Sequence, residues 1–447
     1  MVLRAMYSGV SGLRAEGEAL GVVGDNIANV NTTGFKAQRA LFEDVLGHSI
    51  LAGTSSSMPG SGVRVGDIQQ MFTQGTLQNT GVSTDVALNG DGFFVVKGTV
   101  DGLSSNFYTR AGTFSINADG KLVNPAGLKV QGYAANGDGT FAASISDVSA
   151  PTAALPARAT EAIEITANLD SAATAINTAA VVGPPAVAAN PWDAQNPANT
   201  ANFSTTMTVY DSLGNGHTLD VYFRKSDTVA NTWDYHVLTA GADVTGGTAG
   251  QNSEIGSGTL AFTTNGALNT ITTTTPIAVD FIGATAGQAI TLDFGNPIGA
   301  GTGGTGLDGV TQFAGSSNVS SQSQDGYASG DFSGVAIDGT GVVQGLYTNG
   351  QKIAMAQLAI AKFRSNDGLG RAGQNLWIET RDSGTAAMGT AGSGGRGATS
   401  AGALEGSNVD LAEEFVGLIQ HQRSFSANSK TITTADEMLQ ELINIKR

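Results

Sequence analysis

The sequence predicts a mainly β protein with α-helical termini. Two antiparallel β domains, the second inserted in the first, are joined to a coiled-coil-like domain of terminal helices built from both chain ends. Three observations predict this. Heptad periodicity occurs at the two ends and almost nowhere else; between them the apolar period drops from 3.6 to 2; and Asn/Asp-Gly turn chemistry punctuates the strand-like runs.

At the N-terminus Leu3, Met6, Val10, Leu13, Gly17, Leu20, Gly24 and Ile27 follow at alternating steps of three and four, the seam of a heptad pattern. The stretch is expected to end over residues 29–34, where Gly34 can take the left-handed conformation that terminates a helix. Residues 1–34 are therefore assigned to an N-terminal helix, and 35–70 to a linker whose Gly53–Gly62 segment is small, polar and glycine-rich. Strand-like alternation follows at Val86-Ala87-Leu88, Phe93 to Lys97 and Leu122 to Tyr133, giving the first part of a β domain over 71–155. Further strands are read at Thr206 to Tyr210, Leu219 to Phe223, Trp233 to Val237, Ile277 to Phe281 and Ile290 to Phe294. They lie between an Ala/Pro-rich segment at 151–156 and a glycine-rich one at 299–309, so 156–317 is read as an inserted outer β domain. The first β domain resumes over 318–383, with a strand at Ile353 to Phe363, and a second glycine-rich linker spans 384–406. The four turns Asn89–Gly92, Asn117–Gly120, Asn136–Gly139 and Asp211–Gly216 are read as hairpin turns.

The C-terminal helix is placed over 407–447. Ser407, Asn408 and Asp410 offer N-cap oxygens, Glu413 and Glu414 sit in the first turn, and Lys446 and Arg447 close the last, all matching the helix dipole. Leu411, Leu418, Phe425, Ile432 and Leu439 recur every seven residues beside a second column, Phe415, Gln422, Ser429, Asp436 and Ile443, that is polar in its middle. The N-terminal helix carries Gly9, Gly12, Gly17, Gly21 and Gly24. Each costs about 0.8–1 kcal/mol relative to alanine. Such a helix needs neighbours, and the ends are expected to be largely disordered in the monomer and to order on polymerisation. The assembly residues are accordingly Leu3, Met6, Val10, Leu13, Leu20, Ile27, Leu411, Phe415, Leu418, Phe425, Ile432 and Leu439.

Composition narrows the function. The chain has 447 residues, 62 glycines, no cysteine and a net charge of −16. Zero cysteine excludes disulfides, thiolate metal sites and cysteine nucleophiles. The acidic balance, with no block of Lys/Arg, argues against nucleic acid, and no apolar run is long enough for membrane insertion. Arg4, Arg14, Glu16 and Glu18 break the one place where a signal-peptide core could sit. His48, His217, His236 and His421 are scattered without ligand spacing, so each is read as solvated or satisfied in a core. Gly301–Gly306 matches G-x-G-x-x-G formally, but no helical pattern follows to hold a pyrophosphate. No catalytic, metal or cofactor site is expected.

The run Asn26-Ile27-Ala28-Asn29-Val30-Asn31-Thr32-Thr33-Gly34-Phe35-Lys36 resembles the N-terminal motif shared by bacterial flagellar rod, hook and hook-associated axial proteins, with Asn26, Asn29, Asn31, Thr32, Gly34 and Phe35 as its marks. Residues 85–94 and Tyr108–Phe114 resemble the first β domain of the rod and hook branch. Glu405–Phe415, Gln422–Asn428 and Asp436–Leu439 are similar to its closing helix. The resemblance implies a self-assembling subunit of the hook, a curved hollow tube that acts as a universal joint and export channel. It implies export by the flagellar type III apparatus without a cleaved signal peptide. The implied partners are copies of itself, the distal rod protein, the hook cap protein and the hook-filament junction protein. Gln422, Ser429 and Asp436 are expected to face the channel. A distal rod protein of the same family is the second reading. A secreted β-sandwich carbohydrate-binding protein, with Trp192, Trp233 or Trp377 as sugar platforms, is the remote one.

Overall fold

The computed structural model describes residues 2–46, 60–137, 139–150, 153–178, 189–301 and 303–445. It divides into two compact units, the first of residues 1–152, 333–346 and 352–447, the second of residues 153–332 and 347–351. Mainly antiparallel sheets with a long helix at each chain end make up the fold.

In the first unit the main sheet places Phe332–Ile337, Val342–Tyr347, Lys352–Leu358, Lys129–Ala135, Phe93–Val100, Leu103–Thr109, Leu376–Ile378 and Gly370–Gly373 side by side. Phe93 to Val96 are all buried, so this strand is covered on both faces instead of alternating inside and outside. Phe93 and Val95 point into a cluster with Tyr108, Phe363 and Trp377. Phe94, one residue out of phase, meets Phe114 edge-on with ring centroids 5.4 Å apart. The run expected at 353–363 breaks into Lys352–Leu358 and Ile360–Lys362, and that at 122–133 into Leu122–Val123 and Lys129–Ala135.

Three expectations change here. Residues 384–406 are not a free linker: Ala387–Gly389 pairs with Ile360–Lys362, Ala398–Ala401 with Val86–Asn89, and Ala403–Glu405 with Leu77–Asn79. Close strand approach requires a glycine at one of these positions, since a Cβ on Gly397 would lie 2.5 Å from the Asn89 carbonyl oxygen. In the span 35–70, Gln38–Leu46 and Gly60–Gln70 form an antiparallel pair, while residues 47–59, including His48 and most of the glycine-rich segment, lie outside the described residues. The Asn89–Gly92 turn is not a hairpin: Val86–Asn89 pairs with Ala398–Ala401 and Phe93–Val100 with Leu103–Thr109, so Gly90 and Gly92, at φ 107° and 127°, carry the chain from one sheet to another. The other three turns do join paired strands.

The second unit is a two-sheet sandwich. Phe203–Tyr210, Gly216–Lys225, Thr232–Ala240, Asn252–Phe262 and Leu268–Thr275 form an antiparallel meander. The other sheet runs Ile277–Val279, Gln288–Asp293, Ala162–Asn168 and Asn318–Gln324. Because Asn318–Gln324 pairs with Ala162–Asn168, a domain limit at residue 317 would cut this sheet. One core lies between the two, with Trp233, Phe223, Phe281 and Phe294 fully buried.

Candidate assembly site at the paired chain ends

The N-terminal helix Val2–Ala28 and the C-terminal helix Leu411–Ile445 pack antiparallel within one chain. Asn26 bonds Glu414, Glu16 bonds His421 at 2.7 Å, and Gly12 and Gly9 face Asn428 and Ile432. A Cβ on Gly12 would lie 2.7 Å from the Asn428 amide nitrogen, and one on Gly9 2.9 Å from the Ile432 side chain. These glycines therefore set how closely the helices approach, and part of the neighbour that a glycine-rich helix needs is supplied inside the chain. Gly17, Gly21 and Gly24 meet nothing within 4 Å among the described residues.

The buried row of the first helix is Gly9, Gly12, Ala15, Ala19, Val22, Val23 and Asn26. Met6, Val10, Leu13, Leu20 and Ile27 flank that row, half-buried; the Leu3 side chain lies outside what is described. On the second helix Leu418, Ile432 and Leu439 are half-buried toward the first. Leu411, Phe415 and Phe425 stand exposed, joined by Val416, Ile419, Met438 and Ile443. Gln422, Ser429 and Asp436 are exposed as well. The large apolar side chains thus lie mostly beside the intramolecular seam, which is built from small residues.

Both helices are rooted in the β body by a buried lock. Lys36 Nζ donates to Glu405 Oε1 at 2.6 Å and to the Thr73 carbonyl at 2.7 Å, and neither the Lys36 nor the Glu405 side chain is exposed. Arg110 Nη1 donates to Glu405 Oε2 at 3.3 Å, and the Gly75 amide donates to Oε1. Burial pulls the Lys36 ammonium below its ordinary value, against the Glu405 carboxylate that holds it up. Two amides clamp alongside. Asn26 bonds both backbone groups of Gln38 and Glu414 Oε1; Asn408 accepts from the Ala37 amide and donates to Met71 and Thr73. Asn408 is therefore an anchor, whereas Asp410 Oδ1 caps the helix by accepting from the Ala412 amide at 2.8 Å. Lys446 and Arg447 lie outside the described residues.

The other motif residues build the turn between helix and lock. Asn29 bonds Asp25, and Thr32 donates to Asn29 Oδ1. Phe35 is buried and Asn31 exposed. The helix ends at Ala28, so Gly34, at φ +70°, does not terminate it. A Cβ there would sit 2.6 Å from the Ala111 nitrogen, and the Gly34 amide donates to the Glu405 carbonyl. Lys36, Arg110 and Glu405 each lay inside a motif that the sequence singles out, but nothing in the spacing brought them together. His421 also gains a role the sequence did not signal, linking the two helices through Glu16 and stacking near Phe42.

Beside the root opens a cleft of about 690 Å³ whose lining includes Thr32, Thr33, Asn375 and Trp377 and contains no histidine or carboxylate. Among the described residues no group of His, Cys, Asp and Glu could hold a metal ion, and no helix is long and apolar enough to cross a membrane.

Four family models match this chain. Residues 6–36 match the flagella basal body rod protein, 87–178 the flagellar hook protein FlgE/F/G D1 domain, 168–327 the flagellar basal body protein FlaE D2 domain, and 400–445 the flagellar basal body rod FlgEFG protein C-terminal region. The flagellar hook protein FlgE of Borreliella burgdorferi is 36% identical over 470 residues, covering 100% of both chains. That of Treponema pallidum is 35% identical over 486 residues, again covering 100% of both. That of Salmonella typhimurium is 36% identical over 440 residues and 98% of each. The helix-bearing ends, both β regions and the order in which they occur are matched along the whole length, and the chain belongs to the flagellar hook protein FlgE family.

Proposed function

We propose that this hook structural subunit polymerises through its paired ends, the two helices forming the inner wall of a curved hollow tube and the β units its outer layers. One observation carries the reading: Leu411, Phe415, Val416, Ile419 and Phe425 are exposed on a helix whose partner in the same chain covers only the face that carries Gly417, His421, Asn428 and Ile432. Copies of the chain are the natural cover. Met6, Val10, Leu13, Leu20 and Ile27, half-covered within the chain, complete their burial in the same contacts.

In such a tube the outer layers shift as each row of subunits shortens on the inside of the bend, which gives a joint that transmits torque. Weakly charged surfaces favour this, since few strong ion pairs break in each cycle. Gln422, Ser429 and Asp436 line the export channel in this reading; burial of all three in helix contacts of the assembled tube would sink that assignment. Passage through the flagellar type III apparatus, assembly under a cap protein, and contact with the distal rod below and the junction protein above complete the proposal. The role is structural, with no catalytic step. A distal rod protein is not favoured, because the relatives matched end to end are hook proteins. Electron microscopy of the purified full-length protein under polymerising conditions tests the reading: hollow tubes are expected, and monodisperse globular particles at every condition would overturn it.

A further inference from the structure

Beyond the Glu16–His421 contact, toward the far end of the helix pair, the described residues make no hydrogen bond from one helix to the other. What meets there is a matter of size. In the first helix Gly9 and Gly12 have no side chain, while Ala5, Ala15 and Ala19 keep a Cβ. In the second, Asn428 and Ile432 stand one turn apart and reach into the two gaps. The Asn428 Nδ2, Cγ and Oδ1 lie 2.7, 2.8 and 2.9 Å from where a Cβ on Gly12 would be, and the Ile432 side chain lies 2.9 Å from one on Gly9. Ala435, next along this face, is wholly buried. Asn428 is half-buried, and its amide makes no hydrogen bond among the described residues.

Small residues leave shallow ridges, so by themselves they hold a helix pair only weakly against sliding along its axis. Two gaps matched to two larger side chains fit in one register. Slid one turn toward Ala15, Asn428 meets a Cβ where it now meets none, and its amide is drawn into the seam without a partner, which is costly. Slid one turn the other way, Asn428 takes the gap at Gly9, but Ile432 then meets Ala5. A single polar residue in a helix seam specifies register in this manner, at some cost in stability. We propose that Asn428 is the positioning residue of the helix pair: seated over Gly12, it sets the register of the two helices and with it the offset at which their apolar side chains are presented to another copy. That offset matters only if the chain assembles through its paired ends; the register does not depend on it.

The chain has no cysteine, so nitroxide labels at Arg14→Cys and Glu437→Cys, two exposed positions about 16 Å apart along the helix axis, report the register directly. Pulsed electron-spin measurement on dispersed full-length subunits should give a single distance in the labelled parent. With Asn428→Ala added, a second population should appear, displaced by about 5 Å, one helical turn. With Ser426→Ala, at an exposed position nearby, the single distance should stay. Melting temperatures show whether each variant folds and read the contact itself. Gly12→Ala should lower the melting temperature while Asn428 is in place and raise it beside Asn428→Ala, since the collision is then gone and alanine favours a helix. A single unchanged distance in Asn428→Ala, no single distance in the parent, or a Gly12→Ala effect of the same sign in both backgrounds overturns the assignment. The labels are read before any tube forms, so a parent that never forms tubes counts against assembly through the ends and leaves the register standing.

Discussion

Glu405 holds two cations at once, and its surroundings decide what its removal costs. Lys36 and Arg110 are both buried, so Glu405→Ala leaves two charges without their carboxylate, where breaking one buried pair already costs about 3–5 kcal/mol. The expected result, read by denaturant unfolding, is a loss at or above that range; a loss below about 1 kcal/mol, as at a surface ion pair, would show that the lock is not what roots the helices. Glu414 works with the opposite sign. Burial, with Glu413 beside it, raises its carboxyl above the ordinary 4.5, against the Asn26 hydrogen bond and His421 that lower it. The folded chain therefore binds this proton more readily than the unfolded one, so the ionised form costs stability at neutral pH and the cost fades as pH falls through the folded value toward 4.5. Glu414→Gln keeps an acceptor for Asn26 and should stabilise the helix pair at neutral pH, with the gain vanishing in acid; melting curves across pH check it.

At the scale of the element, the two terminal helices were legible because their period is long and sustained; the second starts at Leu411, near the expected 407, whereas the first ends at Ala28, short of the expected 34. Which face packs inside was not legible. Leucine, valine and methionine mark a seam by hydrophobicity, whereas the intramolecular seam is marked by size: Gly9, Gly12, Ala15 and Ala19 admit the partner helix. Linkers failed for a related reason. Small-residue sequence at 384–406 reads as flexible, yet its backbone hydrogen bonds complete three sheets, a contribution that side chains do not report. The strand Phe93–Val100 was found, but its continuous apolar run Phe93-Phe94-Val95-Val96, the mark of a strand covered on both faces, was read as alternation. The glycines divide by surroundings, and this gives a test. Gly21 faces open space, so Gly21→Ala should stabilise the helix in the isolated subunit by about 0.8–1 kcal/mol. If copies pack closely over it, the same change should slow polymerisation. Sedimentation and helical circular dichroism separate the two effects.

For the whole molecule, the reading of two β units and a helical pair rests on independent signals of period and turn chemistry, while the lock was invisible because its members lie far apart in the sequence. Ending the chain after Asp410 retains Glu405 and Asn408 and removes the C-terminal helix. The expected product is a monomer with its β circular dichroism intact and no tubes by electron microscopy; lost β signal would show that the helix holds up the body as well. The closing of the lock also sets an order in time. Lys36 and Glu405 are separated by 369 positions, so the bond seals a loop of most of the chain and cannot form until the distant end has arrived. A chain broken anywhere between residues 110 and 405 keeps both cations and has no Glu405 to meet them. The ion pair thereby checks that synthesis has passed residue 405 before the root of the helices is seated.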